Sequence, residues 1–190
     1  MTVKDTFNNP AKLARLEQML DRQDIHDALV GFARGMDRFD KALFMAAFHP
    51  DAVIAAGEFV GGPEALYDWA IGLHEYGQSA TQHNLLNHSC EIEGDTAHAE
   101  TYYLFVGRNR DETNWTAGGR YLDRFERRDG VWKIALRTNI IEWSGMVPTM
   151  PIPFMDVAGI DLNGVSSRSK ADPSYMRPLV NKRKDKIPAG

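Results

Sequence analysis

Two histidines, His83 and His88, stand five positions apart in "ATQHNLLNHS", residues 80–89. Imidazole is the side chain whose ordinary pKa lies nearest neutral pH, so either could take a proton from a substrate. To do so it needs a partner that fixes which ring nitrogen carries hydrogen. Asp37, in "ARGMDRFD", and Arg137, in "WKIALRTN", supply the other charges such a site requires. The carboxylate would hold one imidazole nitrogen and leave the far one as a base. The guanidinium would steady negative charge developing on a leaving group or a carbonyl oxygen.

Each residue has a plainer alternative. Side chains alternate along a strand, so His83, Leu85, Asn87 and Ser89 share one face, and Gln82, Leu86, His88 and Cys90 the other. Unless a bulge intervenes, only one histidine can enter a given pocket, and parity does not say which. Asp37 falls at the C-terminal end of a helical pattern, in phase with Ala33, where the helix dipole disfavours an acid. It is either solvated or held by a partner. Asp40 reads as the cap of the next helix. Arg137 lies in phase with Lys133, Ala135 and Asn139, on a strand whose other face carries Trp132, Ile134 and Leu136. A covered arginine needs an anion, so a structural salt bridge is its alternative role.

The elements that must position these residues can be read from periodicity. "PAKLARLEQML" (10–20) starts at a proline and places Leu13, Leu16, Met19 and Leu20 at helical spacing. A second helix is expected from Asp21 as its N-cap, with Ile25, Leu29, Phe32 and Met36 as its apolar face. "KALFMAAF" reads as a short third helix ended by an "HPD" turn, and "AVIAAGEFVGG" as a brief strand and its turn. "PEALYDWAIGLHEYG" is helical, with proline in its first turn. Four long strands follow, at 80–92, 96–108, 114–127 and 131–143, with "EGD" and "RRDG" closing hairpins. Helices followed by a meander predict an α+β fold over residues 1–145, with the helices on the concave face of a curved antiparallel sheet. Beyond it, prolines 148, 151 and 153 forbid strand pairing. The apolar content of 146–165 predicts a segment lying on the body or on a neighbouring subunit, and the last ten residues a partly disordered end.

"GGRYLDRFERRDGVWKIALRT" resembles the final hairpin of the SnoaL-like branch of the nuclear-transport-factor-like superfamily, over roughly residues 17–145. Ketosteroid isomerase, scytalone dehydratase, bile-acid 7α-dehydratase and hexachlorocyclohexane dehydrochlorinase belong to the same superfamily. The resemblance implies a cone-shaped α+β barrel. In its dehydratase and dehydrochlorinase members, an aspartate ending the long helix and a histidine on the following long strand form the catalytic dyad. An arginine of the last strand lines the same pocket. "GMDRFDK", "TQHNLLN" and "LRT" place these on Asp37, His83 and Arg137, which leaves His88 as the structural histidine. The dehydrochlorinase also has a lysine five residues before its aspartate, where this chain has Phe32. The resemblance therefore implies an aromatic-lined pocket rather than halide elimination, with Phe32, Tyr103, Trp115 and Tyr121 as substrate-binding candidates.

Composition sets the outer bounds. In 190 residues, 43% hydrophobic and 25% charged, there is enough apolar chain for one sizeable core. A net charge of −4 argues against nucleic-acid binding. The sole cysteine, Cys90, reads as a small buried hydrophobe and excludes an intramolecular disulfide. No apolar run suits a signal peptide or a membrane span, so a cytoplasmic protein is expected. His26, His49, His74 and His98 are scattered, without metal-ligand spacing, and no dinucleotide fingerprint or nucleophile elbow is present. The expected function is a cofactor-free lyase acting by dehydratase-type elimination, or a related cleavage, on a hydrophobic cyclic or aromatic substrate. A lignin-derived diaryl compound is one such substrate, and a homotrimer the expected assembly. The competing class is non-catalytic: a ligand-binding module, or a structural subunit like the small subunit of ring-hydroxylating dioxygenases.

Overall fold

In the computed structural model, residues 9–184 are described. Helix α1 (Pro10–Asp37) is capped by Asn9, whose side chain accepts from the backbone N–H groups of Ala11 and Lys12. It is one helix of 28 residues, not two. Residues 20–24 contain no glycine or proline to break it, and Asp21 is not a cap. Its carboxylate accepts instead from Trp132 Nε1 at 2.8 Å and Arg127 Nη1 at 2.9 Å, tying the helix to the last hairpin.

At Phe39 the backbone enters the left-handed region (φ 52°) and turns the chain into α2 (Lys41–Ala46). Asp40 caps α2, accepting from the Leu43 N–H at 3.3 Å. The two helices meet closely at Gly35, where a Cβ would lie 2.6 Å from the Phe44 nitrogen. The chain then forms β1 (Phe48–Ala56), β2 (Phe59–Gly61), α3 (Pro63–Gly77), β3 (Gln78–Glu93), β4 (Thr96–Asn109), β5 (Asn114–Arg128) and β6 (Val131–Val147). "HPD" lies inside β1 rather than in a turn, and β1 is irregular between Phe48 and Val53.

The six strands form one open, curved sheet in the order β2-β1-β6-β5-β4-β3. It is mixed, because β1 pairs parallel with β6 while the other pairings are antiparallel. The three helices pack against it, giving the expected α+β cone. Ile25, Leu29, Phe32 and Met36 of α1 are buried against Phe44, Phe48, Phe125 and Ile134. β6 runs to Val147 and stops just before Pro148.

Two of the sheet's bulges reset the phase of the strands that carry the candidate residues. Leu85 pairs with Tyr103 but His88 with Thr101, so one extra residue of β3 lies between them. Thr81, His83, Leu85, His88, Cys90 and Ile92 therefore all face inward, and strand parity fails beyond Leu85. On β6, Ile134 pairs with Phe125 and Leu136 with Arg124, leaving Ala135 extra. Trp132 (3% exposed) and Ile134 (0%) thus face the core on the same side as Arg137, whereas Leu136 (37%) faces out. The expected opposition between Arg137 and the Trp132–Ile134 pair is overturned.

Beyond β6, residues 167–175 fold back onto the α1–α2 corner. Asp172, 6% exposed, accepts from the N–H groups of Ser167 (2.8 Å) and Ser174 (3.0 Å). The Tyr175 hydroxyl donates to Asp40 at 2.8 Å, Lys170 pairs with the same carboxylate, and Arg34 donates to Ser174 Oγ at 3.1 Å. Of the end expected to be disordered, residues 185–190 lie outside the described part. Among the described residues, no helix is long and apolar enough to cross a membrane.

Candidate active site

The sheet and helices enclose a cavity of about 320 Å³. All four aromatic candidates line it: Phe32 from α1, Tyr103 from β4, Trp115 and Tyr121 from β5. His83 and Arg137 line it too. Asp37 stands behind His83.

Asp37 ends α1, where unpaired carbonyls make a poor setting for an acid. β3 compensates with two donors: the His83 N–H reaches Asp37 Oδ2 at 2.9 Å, and His83 Nδ1 lies 2.7 Å from Oδ1. A carboxylate can only accept, so Nδ1 carries a hydrogen and, in the neutral ring, Nε2 is the nitrogen with the lone pair. Both side chains are well covered, 14% exposed for Asp37 and 9% for His83. Phe105 and Phe32 meet the ring edge-on, at 4.9 and 6.0 Å between centroids.

Arg137 makes the structural salt bridge that the sequence left as its alternative role, and it also lines the cavity. Its Nε and Nη2 donate to the two carboxylate oxygens of Asp123, directly opposite on β5, at 2.7 and 2.8 Å. The pair is buried, at 1% and 0% side-chain exposure. Phe32 and Tyr121, whose rings stand edge to face, cover the guanidinium from two adjacent sides at 4.1 and 4.2 Å. Phe32, which stands where the resemblance placed a lysine, thus covers a cation. Arg137 Nη1 has no hydrogen-bond partner among the described residues. Asp123 neutralises the charge, and Nη1 is left as a buried donor.

Tyr121 and Tyr103 stack at 4.5 Å, and burial pushes both phenols up from their ordinary pKa, Tyr121 far above it. They stay protonated and are not bases. His88 shares the concave face with His83 but does not line the cavity. Its Nδ1 bonds Thr101 Oγ1 at 2.9 Å, its ring meets His26, and its Nε2 is buried without a partner.

His74 lines the cavity although the sequence reading left it among the scattered histidines. It continues the buried stripe of α3, Pro63, Leu66, Tyr67 and Ala70, at helical spacing. That periodicity was the available signal. Its ring stacks on Phe105 at 5.5 Å and stands edge-on to His83 at 5.9 Å. Burial lowers its pKa from the ordinary 6.5, outweighing a hydrogen bond with Gln78 that favours the charged form. Among the described residues, no three His, Cys, Asp or Glu side chains are grouped so as to hold a metal.

The SnoaL-like domain family matches residues 17–138. No curated protein matches the chain. Among solved structures, a type 2 hexachlorocyclohexane dehydrochlorinase, LinA, is 20% identical with a TM-score of 0.67, covering 74% of this chain and 99% of its own. The type 3 form from Novosphingobium barchaimii is 20% identical with a TM-score of 0.66, covering 73% of this chain and 97% of its own. A provisionally assigned scytalone dehydratase of Novosphingobium aromaticivorans is 18% identical with a TM-score of 0.62, covering 70% and 91%. At these identities the likeness shows a shared fold.

Proposed function

The chain belongs to the SnoaL-like domain family, and from that premise we propose that it is a cofactor-independent lyase with His83 as its base. One observation carries the reading: the carboxylate of Asp37, 2.7 Å from His83 Nδ1, leaves Nε2 as a lone pair on the wall of an aromatic-lined cavity. Its neighbours in fold include proteins named as a dehydrochlorinase and a dehydratase, both elimination enzymes.

Elimination needs a base, a means to ease departure, and a dry pocket. His83 Nε2 takes a proton from a carbon next to the one bearing the leaving group. The C–H electron pair becomes the new C=C π bond, and the leaving group departs with its own bonding pair. Where hydroxide leaves, it takes the proton that His83 Nε2 removed and departs as water, which returns the imidazole to its neutral form. The imidazolium formed at His83 is stabilised by Asp37, which is already aligned and pays no reorganisation. Arg137, on the cavity wall, steadies negative charge on the departing oxygen.

The substrate class follows from the walls. Phe32, Tyr103, Trp115 and Tyr121 favour a hydrophobic cyclic or aromatic skeleton. A lignin-derived diaryl compound falls within this class. The protein acts as a homo-oligomer, a trimer in this reading.

The test is a screen of cyclic and aromatic alcohols, scored by the appearance of a conjugated alkene. Turnover should slow when the abstracted hydrogen is deuterium, and should fall about 10²–10⁴-fold in His83→Ala. Ligands that bind and are recovered unchanged across the screen would point to a binding module instead.

A further inference from the structure

Resting on that reading, we infer that His74 is a specificity-determining residue, a fixed hydrogen-bond acceptor that selects substrates carrying a hydroxyl group on their aromatic skeleton. The argument is a chain of hydrogen bonds that ends on a carboxylate.

Asp111, in the β4–β5 turn, can only accept, and it takes the Thr113 hydroxyl hydrogen at 2.6 Å. That bond leaves Thr113 Oγ1 as an acceptor, filled by Asn109 Nδ2 at 2.9 Å. Asn109 therefore turns its oxygen toward Gln78, whose Nε2 donates to it at 3.4 Å. Gln78 then turns its oxygen toward His74, 2.9 Å from Nδ1. An amide oxygen only accepts, so His74 Nδ1 carries the hydrogen and Nε2 keeps the lone pair.

The ring is also held in place. It stacks on Phe105. Arg168 and Arg110 donate to the carbonyls of His74 and Glu75, at 2.8 Å and at 2.7 and 3.0 Å, tying down the end of α3. The bond to Gln78 occupies Nδ1 and leaves Nε2 available on a ring that lines the cavity.

The cavity thus carries two imidazoles in one tautomer, with ring centroids 5.9 Å apart. One lone pair suffices for the C–H proton. The other, fixed by a chain reaching to Asp111, needs a donor, and an aromatic skeleton offers one only through a hydroxyl or similar N–H or O–H group. A substrate lacking it would bury that acceptor under hydrocarbon, which costs more than the bond itself contributes.

The experiment compares 4-hydroxybiphenyl with 4-methoxybiphenyl, two-ring probes that differ only in the donor hydrogen and its methyl replacement. Dissociation constants are measured by calorimetry on the wild type, His74→Phe and His83→Ala. The wild type should bind the phenol about tenfold more tightly than the ether. His74→Phe keeps the ring on Phe105 and should abolish that preference, while His83→Ala should retain it. Equal binding of the two probes by the wild type would overturn the inference, as would a preference that survives His74→Phe.

Should His74→Phe fail to fold, ¹⁵N spectra of wild-type imidazoles decide the tautomer, and hydrogen found on Nε2 instead of Nδ1 overturns it. These readouts need no turnover. A protein without lyase activity that still prefers the phenol would sink the lyase reading alone. A lyase indifferent to the hydroxyl would sink this one alone.

Discussion

One carboxylate holds His83 at two points, the ring through Oδ1 at 2.7 Å and the backbone N–H through Oδ2 at 2.9 Å. The imidazole therefore cannot rotate or slide along β3 without losing a bond to Asp37. In Asp37→Asn, the oxygen must stay on the backbone N–H, so the new amide nitrogen faces Nδ1 and drives the ring into the opposite tautomer. Turnover of His83→Ala should fall about 10²–10⁴-fold, the usual general-base contribution. Asp37→Asn should fall comparably, and the double variant little further, because the two act as a unit. Single-substrate kinetics on the three proteins check this, and an active His83→Ala would end the assignment.

The Arg137–Asp123 pair should matter more to folding than a surface pair. Removing Asp123 strands a guanidinium that is 2% exposed and covered by two rings. Asp123→Ala should cost about 3–5 kcal/mol in chemical denaturation. Arg137→Lys should lose both stability and activity, since an ammonium can neither fork to two oxygens nor stack on Phe32 and Tyr121. A fully stable Asp123→Ala would show that the pair is not what anchors Arg137.

The elements were legible because their signals are local. Long strands with hairpin turns, a proline-started α3 and the end of β6 before Pro148 all follow from short-range patterns. The continuity of α1 was not, because Asp21 looks like a cap until Trp132 and Arg127, more than a hundred residues on, claim its carboxylate. The faces of β3 and β6 were misread for the same reason. A bulge is a property of a strand pair, and neither His88 nor Trp132 carries any mark of it. Asp37, His83 and Arg137 were reached through the resemblance, whereas their individual spacings left solvated or structural roles open. His74 was legible in the stripe of α3, but the chain fixing its tautomer joins β3 to a turn and exists only in the folded state.

His88 should prove dispensable for turnover and relevant to acid stability. Burial lowers its pKa from the ordinary 6.5, with His26 adding to the shift. The folded state then binds fewer protons than the unfolded chain, so stability declines as pH falls below about 6.5. His74 contributes in the same direction. His88→Gln should leave turnover within a few-fold and flatten the fall in urea midpoint between about pH 7 and pH 5. An inactive but well-folded His88→Gln would show that the wrong histidine was assigned as base.

The C-terminal strap should detach in acid. For Asp172 burial alone would raise the carboxyl, but bonds from Ser174 and Ser167 and the charge of Arg38 win and hold it at about 2, against an ordinary 3.8. Lys170 lowers Asp40 in the same region, joined by Tyr175 and the Leu43 N–H. Depressed carboxyls stabilise above the unfolded pKa and lose that contribution as pH falls through the folded one. Hydrogen exchange at 167–175 should therefore rise between about pH 4 and pH 2, and Asp172→Asn should raise it at neutral pH. Unchanged protection in Asp172→Asn would mean that apolar contacts hold the strap.

Assembly is the last expectation, and the bulge in β6 changes its basis. Trp132 and Ile134, expected on the strand face opposite Arg137, are core residues and leave no apolar patch there for a neighbour to cover. A different run takes that place: Trp143 (51% exposed) and Met146 (61%) at the end of β6, then Met150 (83%), Phe154 (70%) and Met155 (61%) beyond it. So many large apolar side chains in one stretch are costly to leave in water. The segment is continuous with β6, whose Ile141 lines the cavity mouth, so a neighbour covering it would also wall the site. Light scattering at micromolar concentration should give a trimer. Trp143→Glu with Phe154→Glu should dissociate it and weaken turnover together, because burying either new charge at an apolar contact is strongly unfavourable. A wild-type monomer, or a dissociated variant with full activity, would separate the exposed run from the function.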